Sequence, residues 1–145
     1  MNESRILSLD YGRARIGLAI SDPLKTIASP LVVIKHESMK KDALKIHENV
    51  VKYNITKVII GITFRLDGSL SEIASEAKKL GKYLHNRFNV DVEFTDETMT
   101  TRDAYTSISE GGKKKKNRKQ NIDMYAACKI LQAYLDNLKE LENEK

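Results

Sequence analysis

Apolar and polar positions change period several times along this chain, and each change marks an element. Ile6, Leu7 and Leu9 cluster without helical spacing between Arg5 and Asp10, which predicts a strand ended by the turn-prone Tyr11-Gly12-Arg13. Arg15-Ile16-Gly17-Leu18-Ala19-Ile20 reads as its hairpin partner. Ser21-Asp22-Pro23 is a turn signal, because Pro23 has no amide to donate and Asp22 can bond its own backbone. Leu31 to Ile34, after Pro30, makes a third strand and completes an antiparallel meander.

The period then becomes helical. Ala43, Ile46, Val50 and Tyr53 form one face of a helix from Ser38 to about Tyr53. Lys57-Val58-Ile59-Ile60-Gly61 is a short continuous apolar run, the pattern of a central, parallel strand covered on both faces. Ser69-Leu70-Ser71-Glu72 has the form of a capping box with Ser69 as cap, and Ile73, Ala77, Leu80 and Leu84 continue the helical stripe behind it. Val90, Val92 and Phe94 alternate with Asp91, Glu93 and Thr95, as in a half-exposed edge strand. A short helix is expected over Thr100 to Glu110, stopped by Gly111-Gly112, and a long one from Ile122 to about Leu141.

This order predicts an α/β protein with a mixed five-stranded sheet, three antiparallel strands then two parallel, flanked by helices. With 145 residues, no internal repeat and no linker-like stretch, the chain reads as a single domain over 1–145. No apolar run approaches the roughly 20 residues a membrane helix needs. The start, Met1-Asn2-Glu3-Ser4-Arg5, lacks a secretory pattern, so a cytoplasmic location is expected. One cysteine, Cys128, excludes an intrachain disulfide and a thiolate-clustered zinc site; its place on an apolar helix face suits core packing better than nucleophilic attack.

Charge sharpens the picture. The net charge of +5 has one source: Lys113-Lys114-Lys115-Lys116-Asn117-Arg118-Lys119 carries six cations and no anion, leaving −1 for the rest. Read as a mobile loop from Gly111 to Asn121, this run is aimed at a polyanion, the alternative being a solvated linker. Arg13, Arg15 and Arg65 can also grip phosphates, although solvated turns account for them equally well.

Ligands of open α/β sheets bind beyond the strand carboxyl ends, so acids there are the first candidates. Asp10 closes the first strand, Asp96-Glu97 closes the last, and Asp123 lies in the first turn of the last helix. Carboxylates that converge repel unless a cation sits between them, and hard oxygen donors suit magnesium or manganese, as in phosphoryl transfer. Plainer readings stand beside this one. Asp123 can simply complement its helix dipole, and Asp96 can cap a helix or face solvent. Asp96 and Glu97 point to opposite faces, so only one of them serves. The three histidines, His36, His47 and His85, lack metal-ligand spacing and read as structural.

Several ordered motifs span the chain. These are Leu9-Asp10-Tyr11-Gly12, Arg15-Ile16-Gly17-Leu18-Ala19, Ser21-Asp22-Pro23, Gly61 with Asp67-Gly68-Ser69, Asp96-Glu97 with Thr100-Thr101, and Asp123 with Ala126-Ala127 and Ile130-Leu131-Gln132. Together they closely resemble the YqgF family of pre-16S ribosomal RNA nucleases, which are Holliday-junction resolvase homologues. The resemblance implies a ribonuclease H-like fold and metal-binding, catalytic roles for Asp10, Glu97 and Asp123, holding two magnesium or manganese ions. Thr98 stands where family members often carry an arginine.

The expected activity is endonucleolytic hydrolysis of phosphodiester bonds in precursor 16S ribosomal RNA, by water and without a covalent intermediate. Lys113, Lys114, Lys115, Lys116, Arg118 and Lys119 would hold the nucleic acid together with Arg13, Arg15 and Arg65. The rivals are cleavage of four-way DNA junctions by the same acids, and a non-catalytic ribosome-assembly factor that only binds nucleic acid. The ribosome is a candidate partner, the state monomer or weak homodimer. An actin-like kinase, which shares Asp-x-Gly, needs two domains, and the length argues against it.

Overall fold

The computed structural model describes residues 3–96 and 115–143, with side chains for 3–96 and 124–143. The strands are β1 (Arg5–Tyr11), β2 (Arg15–Ser21), β3 (Ala28–Lys35), β4 (Ile55–Ile62) and β5 (Val92–Asp96). The helices among these residues are α1 (Met39–Lys52), α2 (Glu72–Phe88) and α3 (Lys115–Asn143). The five strands form one sheet in the order β3-β2-β1-β4-β5. β1, β2 and β3 pair antiparallel, while β4 runs parallel to both β1 and β5. This is the mixed sheet the hydrophobic pattern predicts, with β4 internal and β5 at an edge.

The sheet is buried on both sides, and the alternation of β1 shows how. Leu7, Leu9 and Tyr11 join Leu18, Ile60, Ile46, Leu80 and Leu84 in the core under α1 and α2. Ile6 points the other way, joining Ala19, Ile59, Ala127, Ile130, Leu131 and Leu135 under α3. A strand with two covered faces cannot show a clean polar alternation, hence its nearly continuous apolar run. No helix among the described residues is long and apolar enough to cross a membrane.

Local chemistry sets the boundaries, and three differ from expectation. β3 begins at Ala28 and runs through Pro30, because the register shifts between Leu18↔Val32 and Ala19↔Pro30, leaving Leu31 as the extra residue of a bulge where a missing amide is tolerated. α2 is capped by Ser71, whose hydroxyl accepts from the Ala74 amide; the Ser69 hydroxyl instead donates to Asp67 Oδ1 at 2.6 Å. α3 starts at Lys115 rather than Ile122, so Lys115, Lys116, Arg118 and Lys119, four of the six cations of the run, lie in helix and not loop. Lysine, arginine and glutamine are good helix formers, and a helix already packed downstream extends through them at little cost. The helix expected over Thr100 to Glu110 and the residues Gly111 to Lys114 lie outside the described residues.

Candidate active site

Because β1, β4 and β5 are parallel, their carboxyl ends share one edge of the sheet. Asp10 lies on that edge, half-buried, opposite Gly17 and one residue beyond the Leu9↔Ile60 pair. By strand alternation it shares the α3 face with Ile6 and Ser8.

Three polar anchors fix how α3 crosses this face. Lys57 near the start of β4 and Glu93 in β5 both meet the Tyr134 hydroxyl, at 3.3 Å each. The Gln132 amide accepts from Ala28 N–H at 2.9 Å and donates to the Thr26 carbonyl at 2.9 Å, at the level of the start of β1. Fully buried Ser8 donates from its hydroxyl to the Ala127 carbonyl at 2.6 Å, halfway along β1. Falling residue numbers along α3 therefore climb toward the carboxyl end of β1, so α3 is antiparallel to that strand. One turn before Ala127 is position 123, about 6 Å further along the axis. Ser8 to Asp10 is a similar step along β1, about 7 Å. The backbone thus carries position 123 to the level of Asp10.

The Asp123 side chain lies outside the described residues, as does the whole of Glu97, the residue that follows β5 in the sequence. Among the described residues no group of three or more His, Cys, Asp or Glu side chains is arranged to hold a metal. Only Asp10 of the three expected ligands is among them.

The expected phosphate-gripping residues divide similarly. Arg13, in the β1–β2 turn, is exposed and pairs with Glu72 at 3.3 Å. Arg15 opens β2 opposite Lys35, and Arg65 is exposed in the loop after β4. All three flank the edge that carries Asp10. Lys113 and Lys114 lie outside the described residues, and Lys115, Lys116, Arg118 and Lys119 occupy the opening turns of α3 with side chains outside the description. Gly12 keeps the turn tight: a Cβ there would lie 2.6 Å from the Arg15 carbonyl oxygen.

Behind Asp10, on the opposite face, is a polar cluster that sequence reasoning missed. Asp42, fully buried in the first turn of α1, accepts from the Glu37 amide at 3.0 Å and is in contact with His36 Nδ1. The His36 ring meets Tyr11 edge-on at 5.5 Å, and the Tyr11 hydroxyl reaches Glu76 at 3.5 Å. Burial, then the charges of Glu76 and Asp42, push the Tyr11 phenol up to about 12. A cavity of about 150 Å³ lies among Tyr11, Met39, Asp42, Glu76, Lys79 and Leu80. The only sequence signal was a carboxylate four residues after a helix-capping serine. The other histidines are structural as expected: His47 stacks on Phe88 at 4.1 Å and His85 contacts the Val90 carbonyl at 3.0 Å. Burial pushes the Cys128 thiol up to about 11, so it stays protonated at neutral pH and suits packing rather than attack.

The family described as "RuvX: Holliday junction resolvase" matches residues 4–137. The chain belongs to the RuvX family. Family relatives include proteins named "Putative pre-16S rRNA nuclease" from Natranaerobius thermophilus, 37% identical over 91% of this chain and 94% of that protein, and from Sulfurihydrogenibium, 40% identical over 93% and 92%. Among solved structures, Thermus thermophilus RuvC in complex with a Holliday junction aligns over 94% of this chain and 96% of its own at a TM-score of 0.59 and 12% identity. The fowlpox virus Holliday junction resolvase aligns over 92% and 99%, with a TM-score of 0.54 and 17% identity. At such identities the likeness speaks for the fold, which is ribonuclease H-like.

Proposed function

We propose that this RuvX-family chain is a divalent-metal-dependent endonuclease that hydrolyses phosphodiester bonds in structured nucleic acid, with precursor 16S ribosomal RNA as its substrate. The observation that carries the reading is the Ser8–Ala127 hydrogen bond, which docks α3 so that position 123 stands level with Asp10. The names borne by the relatives point to the ribosomal RNA precursor.

Asp10, Glu97 and Asp123 are the proposed ligands of magnesium or manganese, two ions being the expected number. An all-carboxylate set at a strand terminus fits such hard cations, and Asp10, half-buried beside the α3 face, is the kind of acid a cation would stabilise. When bound, the ions supply an activated water and charge neutralisation at the leaving oxygen. The protein supplies placement: β1 holds Asp10, β5 delivers Glu97, and α3 delivers Asp123. Arg13, Arg15 and Arg65 bind phosphates flanking the scissile bond, and Lys113, Lys114, Lys115, Lys116, Arg118 and Lys119 bind more distant ones. The proposed setting is the cytoplasm, acting on ribosomal precursors as a monomer or weak homodimer.

Purified protein should cleave precursor 16S RNA only with a divalent ion, and faster than a four-way DNA junction. Asp10→Asn should lower turnover by more than about a hundredfold, beyond the usual effect of residues that merely support a metal ligand, while retaining fold. Cleavage unaffected by Asp10→Asn would refute the ligand assignment. Preference for the DNA junction would replace the substrate, and nucleic-acid binding without any turnover would leave the assembly-factor alternative.

A further inference from the structure

β4 leaves the sheet at Ile62, beside the level of Asp10, and the chain folds back on itself before α2 begins at Glu72. Phe64 bridges Leu70, the Arg65 amide donates to the Ser69 carbonyl at 2.7 Å, and the Thr63 and Ser71 hydroxyls meet at 3.1 Å. The tip is the turn Arg65-Leu66-Asp67-Gly68, closed by Gly68 N–H to the Arg65 carbonyl at 2.9 Å, with Gly68 at φ +88°. Asp67 Oδ1 stiffens it by accepting from the Ser69 amide at 2.9 Å. This is an ordered hairpin.

Its outward residues are unusual for an ordered hairpin. Leu66, at the tip, is as exposed as in an extended chain, at 110%, and Phe64, on the stem, is 40% exposed. Arg65 stands between them, also exposed. A turn held by this many hydrogen bonds has no need of an apolar tip, and Leu66, fully exposed, buries nothing there. From Gly61 to Leu66 is at most about 17 Å of extended chain, the rise of about five base pairs, so the hairpin stays within reach of a strand whose scissile phosphate sits at Asp10.

Beside the edge that carries Asp10, an apolar–cation–apolar sequence fits bases with a phosphate between them. Bases inside a duplex are stacked and cannot offer a face, whereas an unpaired base can. We propose that the hairpin of residues 63–71 engages bases, with Phe64 stacking on an unpaired nucleobase, Leu66 wedging against the end of the adjoining duplex and Arg65 on the intervening phosphate. The inference rests on the nuclease reading and deepens it. Its substrate class is nucleic acid in which duplex gives way to an unpaired strand close to the cleavage point.

The test compares two RNAs with equal numbers of phosphates, a blunt duplex and a duplex with a single-stranded overhang carrying 2-aminopurine at its first unpaired position. Binding of the full chain is followed by fluorescence anisotropy with calcium replacing magnesium. Wild type should prefer the overhang RNA, and Phe64→Ala with Leu66→Ser should lower the ratio of the two affinities by about tenfold, the effect expected for loss of one base stack. Phe64→Tyr should keep the ratio. The 2-aminopurine emission should respond to wild type and not to the double variant. An unchanged ratio in a double variant that melts like wild type would overturn the proposal, as would equal losses on both RNAs. A fall in sedimentation mass with the ratio intact would also overturn it, assigning the hairpin to contact between copies of the chain. If wild type also cleaves RNA with magnesium, the nuclease reading survives any of these failures; if it neither binds nor cleaves, both fall.

Discussion

Gly81, in the middle of α2, sets the distance between that helix and the strand that leads into Glu97. A Cβ built there would lie 2.6 Å and 2.9 Å from two atoms of the Phe94 ring and 3.1 Å from the Ile60 side chain. Two effects oppose each other in Gly81→Ala. Alanine is favoured over glycine in a helix interior by about 1 kcal/mol. Carbon atoms prefer about 3.5–4.0 Å, so the ring must retreat by roughly 1 Å while Ile60, fully buried, blocks the other side. Overpacking of this kind costs about 1–3 kcal/mol. Taking the middle of that range, the variant should be about 1 kcal/mol less stable, a fall in Tm of roughly 3–4 °C for a domain of this size. Thermal melts of Gly81→Ala, Phe94→Leu and the double variant form a cycle in which Phe94→Leu should return most of the loss. A Tm equal to or above wild type would refute the reasoning, because the ring would then have moved freely into the groove it shares with Lys82, His85 and Val92. As β5 ends at Asp96, displacement of Phe94 should also lower metal-dependent turnover more than the modest stability loss explains.

Other expectations follow from contacts already described. Ser8→Ala removes the buried hydrogen bond to the Ala127 carbonyl and should cost about 1 kcal/mol, seen as a lower urea midpoint; no change would mean that α3 docks by apolar packing alone. Tyr11, 9% exposed, holds its proton up to about pH 12 when folded but releases it near 10.0 when unfolded. The stability tied to that proton is complete below pH 10 and is lost as pH rises toward 12, by at most about 3 kcal/mol in all. Tyr11→Phe should therefore flatten the stability profile relative to wild type in that window, and parallel profiles would contradict the assignment. Replacing Lys113, Lys114, Lys115 and Lys116 by Ser should weaken nucleic-acid binding and flatten its salt dependence by up to about three units in log–log slope, with little effect on Tm. An unaltered slope would move the phosphate path to Arg13, Arg15 and Arg65.

Much of the fold was legible because burial on two faces leaves a strong mark. Ile6-Leu7-Ser8-Leu9 and Val58-Ile59-Ile60 could hardly be anything but inner strands, and Asp10 stood out as the acid ending one of them. Ser69 and Ser71 were harder to tell apart: both precede Glu72, and only the geometry of the Asp67 turn decides which hydroxyl is left to cap α2. Pro30 masked the true start of β3 because a bulge is a property of two paired strands, not of one. The His36–Asp42–Tyr11 cluster was illegible for a similar reason. Asp42 looks like any first-turn acid, and its complete burial arises from elements distant in sequence. The level of position 123 relative to Asp10 likewise became visible only through a hydrogen bond linking residues 119 positions apart.

That separation bears on how the protein comes into being. α3 is the last described element in chain order, and among the described elements it is the helix that covers Ile6, Ala19 and Ile59. While the ribosome is still making the chain, the first two helices can close one side of the sheet, but the apolar patch that α3 covers on the other side waits for α3 itself to emerge. On the proposed ligand set the third acid arrives with the same segment, so greasy surface disappears and cutting power appears in one event. On that reading, a polypeptide stalled before residue 115 would expose the patch α3 covers, yet be harmless to RNA.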